Sequence, residues 1–227
     1  MKIIRFSQRG LVGYWRFDEE TGSTAKDSSP YGNHGTIYGA TRVRGIIGKA
    51  LSFDGVDDYV EVPDSASLQD IKKITVVAWI YPYTGYGQEY PRIVEKGNVE
   101  PFRFYITASN GKLTVGLNTV SETIYRSNKT AIPENKWTMA AFTYDGVYLR
   151  IYLNGNLDKE TTENAGDLDT FSTITHIGNF PTGNRTFNGI IDEVRIYNRA
   201  LSPGEIKIIY AFTKYIKPHP IIMRRKL

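Results

Sequence analysis

Residues Trp137-Thr138-Met139-Ala140-Ala141-Phe142-Thr143-Tyr144-Asp145-Gly146-Val147-Tyr148-Leu149-Arg150-Ile151-Tyr152-Leu153-Asn154-Gly155 decide the fold class. Two runs rich in aromatic and β-branched residues, Trp137 to Tyr144 and Tyr148 to Leu153, flank Asp145-Gly146, and Asn154-Gly155 follows at once. Asn-Gly and Asp-Gly supply the positive φ angles that tight hairpin turns demand, so the segment reads as paired antiparallel strands. Upstream, Phe102 to Ile106 and Leu113 to Leu117 flank Asn110-Gly111 in the same way. Leu11 to Phe17 alternates and ends in Asp18-Glu19-Glu20, and residues 21–35, rich in Gly, Ser, Asp and Asn, read as a long loop. Lys49 to Phe53 and Asp58 to Pro63 form two strands around Asp54-Gly55. Ile74 to Tyr81 is nearly continuous apolar, as a strand covered on both faces would be. Strands at this spacing predict an all-β antiparallel sandwich or barrel. One helix signal stands out: Ser202-Pro203-Gly204-Glu205 offers a cap, Pro at the first helical position and Glu three after the cap.

The chain has 227 residues, 41% of them hydrophobic, which suits one large sandwich with a substantial core. It has no cysteine, which excludes disulfides, thiolate zinc sites and cysteine nucleophiles. The net charge of +4 is unevenly spread. Eight of the 28 basic residues lie in 1–10 and 214–227, which carry no acid, leaving 20 basic residues against 24 acidic ones in between. The acidic body argues against a nucleic-acid-binding face. No stretch has the eighteen or so apolar residues of a membrane helix. Residues 1–10 lack a continuous apolar run and do not read as a signal peptide. The expected division is an N-terminal extension over 1–10, one domain over 11–213 and a basic tail over 214–227, which suits either solvation or an anionic partner.

Several motifs resemble one family. They are Gly13-Tyr14-Trp15-Arg16-Phe17-Asp18, Gly32-Asn33-His34-Gly35, Ala50-Leu51-Ser52-Phe53-Asp54-Gly55 and Thr75-Val76-Val77-Ala78-Trp79-Ile80. Asn135-Lys136-Trp137 and Gly189-Ile190-Ile191-Asp192-Glu193-Val194-Arg195-Ile196-Tyr197 complete the set. In this order they resemble laminin-G-like domains of the concanavalin A-like lectin/glucanase superfamily over residues 11–212, and the last resembles the closing strand of pentraxins. The resemblance implies a two-sheet jelly-roll sandwich with one short C-terminal helix. It also implies an extracellular or particle-surface location and a binding or adhesion role toward carbohydrate or a surface glycoprotein, commonly with calcium. The alternatives are a structural subunit of a virion or cell-surface assembly that packs against copies of itself, and a polysaccharide-active hydrolase or lyase.

The glucanase branch of that superfamily carries Glu-x-Asp-x-x-Glu on one strand. Around Asp192-Glu193 those positions hold Ile190 and Arg195, so no catalytic residue is assigned and a non-enzymatic role is expected. Calcium is a hard cation that takes six to eight oxygens, and Asp18, Asp27 and Asn33 in the long loop offer them. In similar domains this loop lies beside the strand of Asp192, which is the expected fourth ligand. Asp27 and Asn33 also suit simple turn hydrogen bonds, and Asp54, Asp57 and Asp58 form a second acidic cluster read as turn chemistry. Sugar rings stack on aromatic faces while their hydroxyls take polar partners, so Tyr83, Tyr86, Tyr90 and Arg92 are the expected glycan contacts. Pentraxin-type calcium loops would correspond to residues 96–100 and 179–184, which hold only one acid, Glu100. Asn128-Lys129-Thr130 and Asn184-Arg185-Thr186 match the glycosylation sequon.

Overall fold

The computed structural model describes residues 8–97, 101–170, 172–180 and 185–215. Most of the basic tail, most of the N-terminal extension, the second sequon's Asn184 and much of both pentraxin-type loops lie outside these. The strands are β1 Leu11–Trp15, β2 Thr24–Ala25, β3 Gly35–Tyr38, β4 Thr41–Arg44, β5 Lys49–Asp54 and β6 Tyr59–Val62. A helical turn, α1 Ala66–Gln69, follows, then β7 Ile74–Gly87, β8 Arg92–Lys96, β9 Phe102–Thr107, β10 Lys112–Asn118 and β11 Thr123–Ser127. The chain continues with β12 Thr138–Tyr144, β13 Tyr148–Leu153, β14 Asn156–Thr162, β15 Thr175–Ile177, β16 Phe187–Tyr197 and helix α2 Pro203–Tyr215.

The strands form two eight-stranded antiparallel sheets. The first runs β14-β13-β12-β7-β16-β5-β4, with β1 also on β16, and the second runs β11-β10-β9-β8-β15-β6-β3-β2. The expected sandwich is therefore present. Alternate residues of facing strands fill the space between the sheets: Val76, Ala78 and Ile80 of β7 meet Phe102, Phe104 and Ile106 of β9 in one core cluster. The opposite face of β7 is also apolar, and α2 covers it. Val77, Trp79, Met139 and Tyr152 pack on Ile206 and Ile209, and the Trp79 ring stacks on Tyr210 at 5.6 Å. That second cover explains the unbroken apolar run of β7.

Local chemistry sets the turns and the helix start. Asn154 and Gly155, both at positive φ (50° and 78°), make the tight turn between β13 and β14. The β12–β13 turn is one residue longer, and Asp145 Oδ1 closes it by accepting the Val147 and Tyr148 N–H groups at 3.0 and 2.7 Å. At the helix the cap is reciprocal. Ser202 N–H donates to Glu205 Oε2 at 2.8 Å, and Glu205 N–H donates to Ser202 Oγ at 3.3 Å. Arg199 clamps the same carboxylate and holds it down at about 2.

The long strand β16 organises the first sheet. Its first half pairs with β5 (Ile191 with Leu51) and its second half with β1 (Trp15 with Val194). Between the halves the register against β7 shifts, and Glu193 takes φ 52°. Such a bulge bends a strand and re-aims its side chains.

Candidate functional site

The outer face of the second sheet carries a polar row where the inner face carries Phe and Ile. Glu95 on β8 is the cross-strand partner of Arg103 on β9, Arg103 of Gly116 on β10, and Gly116 of Tyr125 on β11. A Cβ on Gly116 would lie 2.7 Å from the Tyr125 ring, so the ring lies down on the sheet only because position 116 has no side chain. One row over, Arg92 pairs with Tyr105, and its guanidinium sits 4.5 Å from the centre of that ring.

Glu95 is fully buried and accepts from both arginines, Arg92 Nε at Oε2 and Arg103 Nε at Oε1 (3.0 Å). Burial pushes the Glu95 carboxyl above its ordinary value, against the pull of Arg92 and Arg103. The network fixes two planar guanidinium groups side by side, and Arg103 also donates to the Tyr125 hydroxyl. Above them opens a pocket of about 220 Å³ lined by Tyr90, Arg92, Arg103, Tyr105, Tyr125 and Arg185. Ligand sites for larger molecules start near ~300 Å³, so this one suits a single ring or terminal group.

Two of the four expected glycan contacts, Tyr90 and Arg92, line this pocket. Tyr83 and Tyr86 do not. Tyr83 belongs to the first sheet, beside Tyr81 (6.0 Å between rings) and near Ser52. Tyr86 follows Gly85 at positive φ and itself takes φ 61°. That turns its ring toward the core, where its hydroxyl donates to Ile132 O at 2.7 Å. Arg103, Tyr105, Tyr125 and Arg185 were not anticipated. The outward alternation of Arg103 and Tyr105 between Phe102, Phe104 and Ile106 was the available signal.

The residues expected to share calcium serve as latches instead. Asp27 Oδ1 accepts the Tyr14 and Ser29 N–H groups, each at 2.8 Å, and Oδ2 accepts Asn33 N–H (2.8 Å) and Ser29 Oγ (2.5 Å). Asn33 donates to Val12 O and Ser67 Oγ. Asp18 caps the start of β5 by accepting Lys49 N–H at 3.0 Å and pairs with Arg16 at 2.8 Å. Asp192 accepts Ile46 N–H at 2.9 Å, Ile47 N–H at 3.4 Å and Glu193 N–H at 2.7 Å. Burial, with Glu193 adding, pushes the Asp192 carboxyl up to about 8 against those three donors. Among the described residues Asp18, Asp27 and Asp192 do not come within sharing distance of one ion, and with Asp27 saturated by protein donors the set does not fit calcium. Asp54, Asp57 and Asp58 do lie within 4.8 Å of one another. Asp58 accepts Asp54 N–H and Asp54 accepts Val56 N–H, which is turn chemistry.

Asp192 and Glu193 do not face each other across a cleft. Glu193 turns to Tyr14, whose hydroxyl donates to it at 2.7 Å, and to an ion pair with Arg195. Asn128 of the first sequon is buried, and its side-chain amide donates to Thr130 O, so the folded chain does not present it for glycosylation.

No curated protein sequence matches the chain significantly. Solved structures match its fold. Domain 4 of AbnA, a GH43 extracellular arabinanase from Geobacillus stearothermophilus solved with arabinotriose, is 22% identical with TM-score 0.69, over 88% of this chain and 98% of that one. The binding domain of Paraclostridial Mosquitocidal Protein 1 is 15% identical with TM-score 0.71, over 88% of this chain and 52% of that one. A structure of botulinum neurotoxin type C, described as dependent on two ganglioside molecules for cell entry, is 18% identical with TM-score 0.70, over 91% and 52%. The chain thus spans about half the length of the toxin structures it matches. A laminin G-type family model matches residues 54–207. With the sandwich, its closing strand and its helix in place, the chain belongs to that family of the concanavalin A-like lectin/glucanases superfamily.

Proposed function

We propose that the protein is a non-catalytic carbohydrate-binding module acting outside the cell, and that its site is the tyrosine–arginine pocket of the second sheet. One observation carries the proposal: three tyrosines and three arginines converge on a pocket sized for one sugar ring, four of them on strands, with Glu95 buried beneath to hold Arg92 and Arg103 in place. Aromatic faces take the apolar face of a sugar ring, and guanidinium groups take its oxygens. The AbnA domain solved with arabinotriose, which this chain covers almost end to end, supports the reading. The one acidic side chain beneath the pocket is pinned between two arginines, an arrangement suited to positioning rather than to proton transfer.

The test is a glycan array followed by calorimetry on the strongest binder, with Tyr125→Ala beside the wild type. Tyr125 is 48% exposed, so its removal should leave the melting temperature in place while binding weakens by at least about fivefold. A wild-type protein that binds no glycan on the array overturns the proposal.

A further inference from the structure

Arg92 and Arg103 are committed to Glu95, but Arg185 is not. Its backbone is anchored, since its carbonyl accepts Arg92 N–H at 2.9 Å. Its side chain lines the pocket, yet among the described residues none makes a hydrogen bond or ion pair with it. Three guanidinium groups therefore stand over one buried carboxylate. Glu89, bonded to the Tyr90 hydroxyl at the rim, still leaves positive charge in excess. The repulsion is felt locally, because Arg185 destabilises the charged form of Arg92. A neutral sugar would leave that excess in place. A carboxylate or sulfate would neutralise it, and its planar or tripodal oxygens match the arginine fork.

Resting on the carbohydrate reading, we propose that this pocket selects a sugar bearing an anionic substituent, a carboxylate or a sulfate, held by Arg185 beside Arg92. The exposed ring of Tyr125 borders the same space and would take the sugar face.

The experiment uses the full chain and an array printed with matched neutral, uronic-acid, sialylated and sulfated glycans. Calorimetry then compares the best acidic glycan, its neutral counterpart and inorganic sulfate, for the wild type, Arg185→Gln and Arg185→Lys. The acidic glycan is expected to bind at least about tenfold more tightly than its neutral counterpart. Arg185→Gln should abolish that preference without moving the melting temperature, and Arg185→Lys, which keeps the charge but loses the fork, should fall between. The uronic-acid and sulfated arms tell the two anionic groups apart. A neutral glycan bound equally well, with loss in Tyr125→Ala and none in Arg185→Gln, overturns this inference and leaves the carbohydrate reading standing. Inorganic sulfate bound as tightly as the acidic glycan overturns the sugar part of both. Absence of any glycan binding overturns both together.

Discussion

The Asp192 carboxylate accepts the backbone N–H of Ile46 at 2.9 Å, so the closing strand grips the tip of a hairpin 146 residues earlier in the chain. The grip sits where β16 changes partner from β5 to β1. A Cβ on Gly45 would come within 2.4 Å of this carboxylate, which shows how closely the hairpin tip is pressed on it.

Removing that carboxylate leaves the buried Glu193 N–H and the partly buried Ile46 and Ile47 N–H groups unpaired. Asp192→Ala should cost about 2–4 kcal/mol in denaturant unfolding. Asp192→Asn should cost less than Asp192→Ala, because an amide matches the neutral carboxyl that burial favours and keeps one acceptor oxygen for these N–H groups. Both losses should be the same size in calcium and in chelator. A loss confined to calcium-containing buffer would restore Asp192 as a metal ligand.

His176 gives the pH response a sign. Burial lowers its pKa from 6.5 to about 4, and its Nδ1 has no partner among the described residues. Glu61 lies 3.9 Å from its Nε2 on one side, and Glu95 is its cross-strand neighbour on the other. Between pH 6.5 and about 4 the native state binds fewer protons than the unfolded chain, so this contribution to stability is lost as the pH falls through that window. Asp192, raised to about 8, acts in the opposite sense: its contribution is full below its unfolded value of 3.8 and is lost as the pH rises toward 8. The difference between wild type and His176→Gln isolates the histidine. Between pH 4 and 6.5 the wild type should lose stability relative to the variant as the pH falls, and parallel curves would contradict the assignment.

Gly116 is predicted to control the pocket without touching the ligand. An alanine there pushes the Tyr125 ring off the sheet and loses stacking of about 1 kcal/mol, roughly fivefold in affinity. Calorimetry of Gly116→Ala with the best array glycan checks this, and unchanged affinity would place Tyr125 outside the site.

The helix cap is a fourth, independent target. Ser202→Ala should cost about 1 kcal/mol. Because α2 covers Trp79, the variant should also show a red-shifted tryptophan emission at lower denaturant than the wild type.

Much of the first sheet is legible in the sequence because its signals are local. Asn154-Gly155 and Ser202-Pro203-Gly204-Glu205 each state their geometry within a few residues. Residues 92–96 are different: Arg92, Glu95 and Lys96 look like surface charges, yet all are buried, Arg92 on Glu95, Glu95 also on Arg103, and Lys96 on Asp64 and Thr173 O. The site divides the same way. Tyr90 and Arg92 stand out because aromatic and polar residues crowd one short stretch. Arg103 and Tyr125 join them only through the register of β8 to β11, and Arg185 through its carbonyl on Arg92 N–H, neither of which a single stretch encodes. Asp27 and Asn33 read as metal ligands because the donors that saturate Asp27, Tyr14 N–H and Ser29 N–H among them, are backbone groups that leave no mark in the sequence.

The order of pairing carries a consequence for how the protein is made. β1, among the first described residues to leave the ribosome, has β16 as its ladder partner, with Leu11 opposite Tyr197, almost the whole length of the chain away. β5 and β7 wait for the same strand. Loop closure over such distances is entropically slow, and unpaired edges stay exposed meanwhile. Until synthesis reaches β16 the nascent first sheet has two separate pieces, β4–β5 and β7 with β12 to β14, and a lone N-terminal strand. Completion of one late strand joins them in a single step.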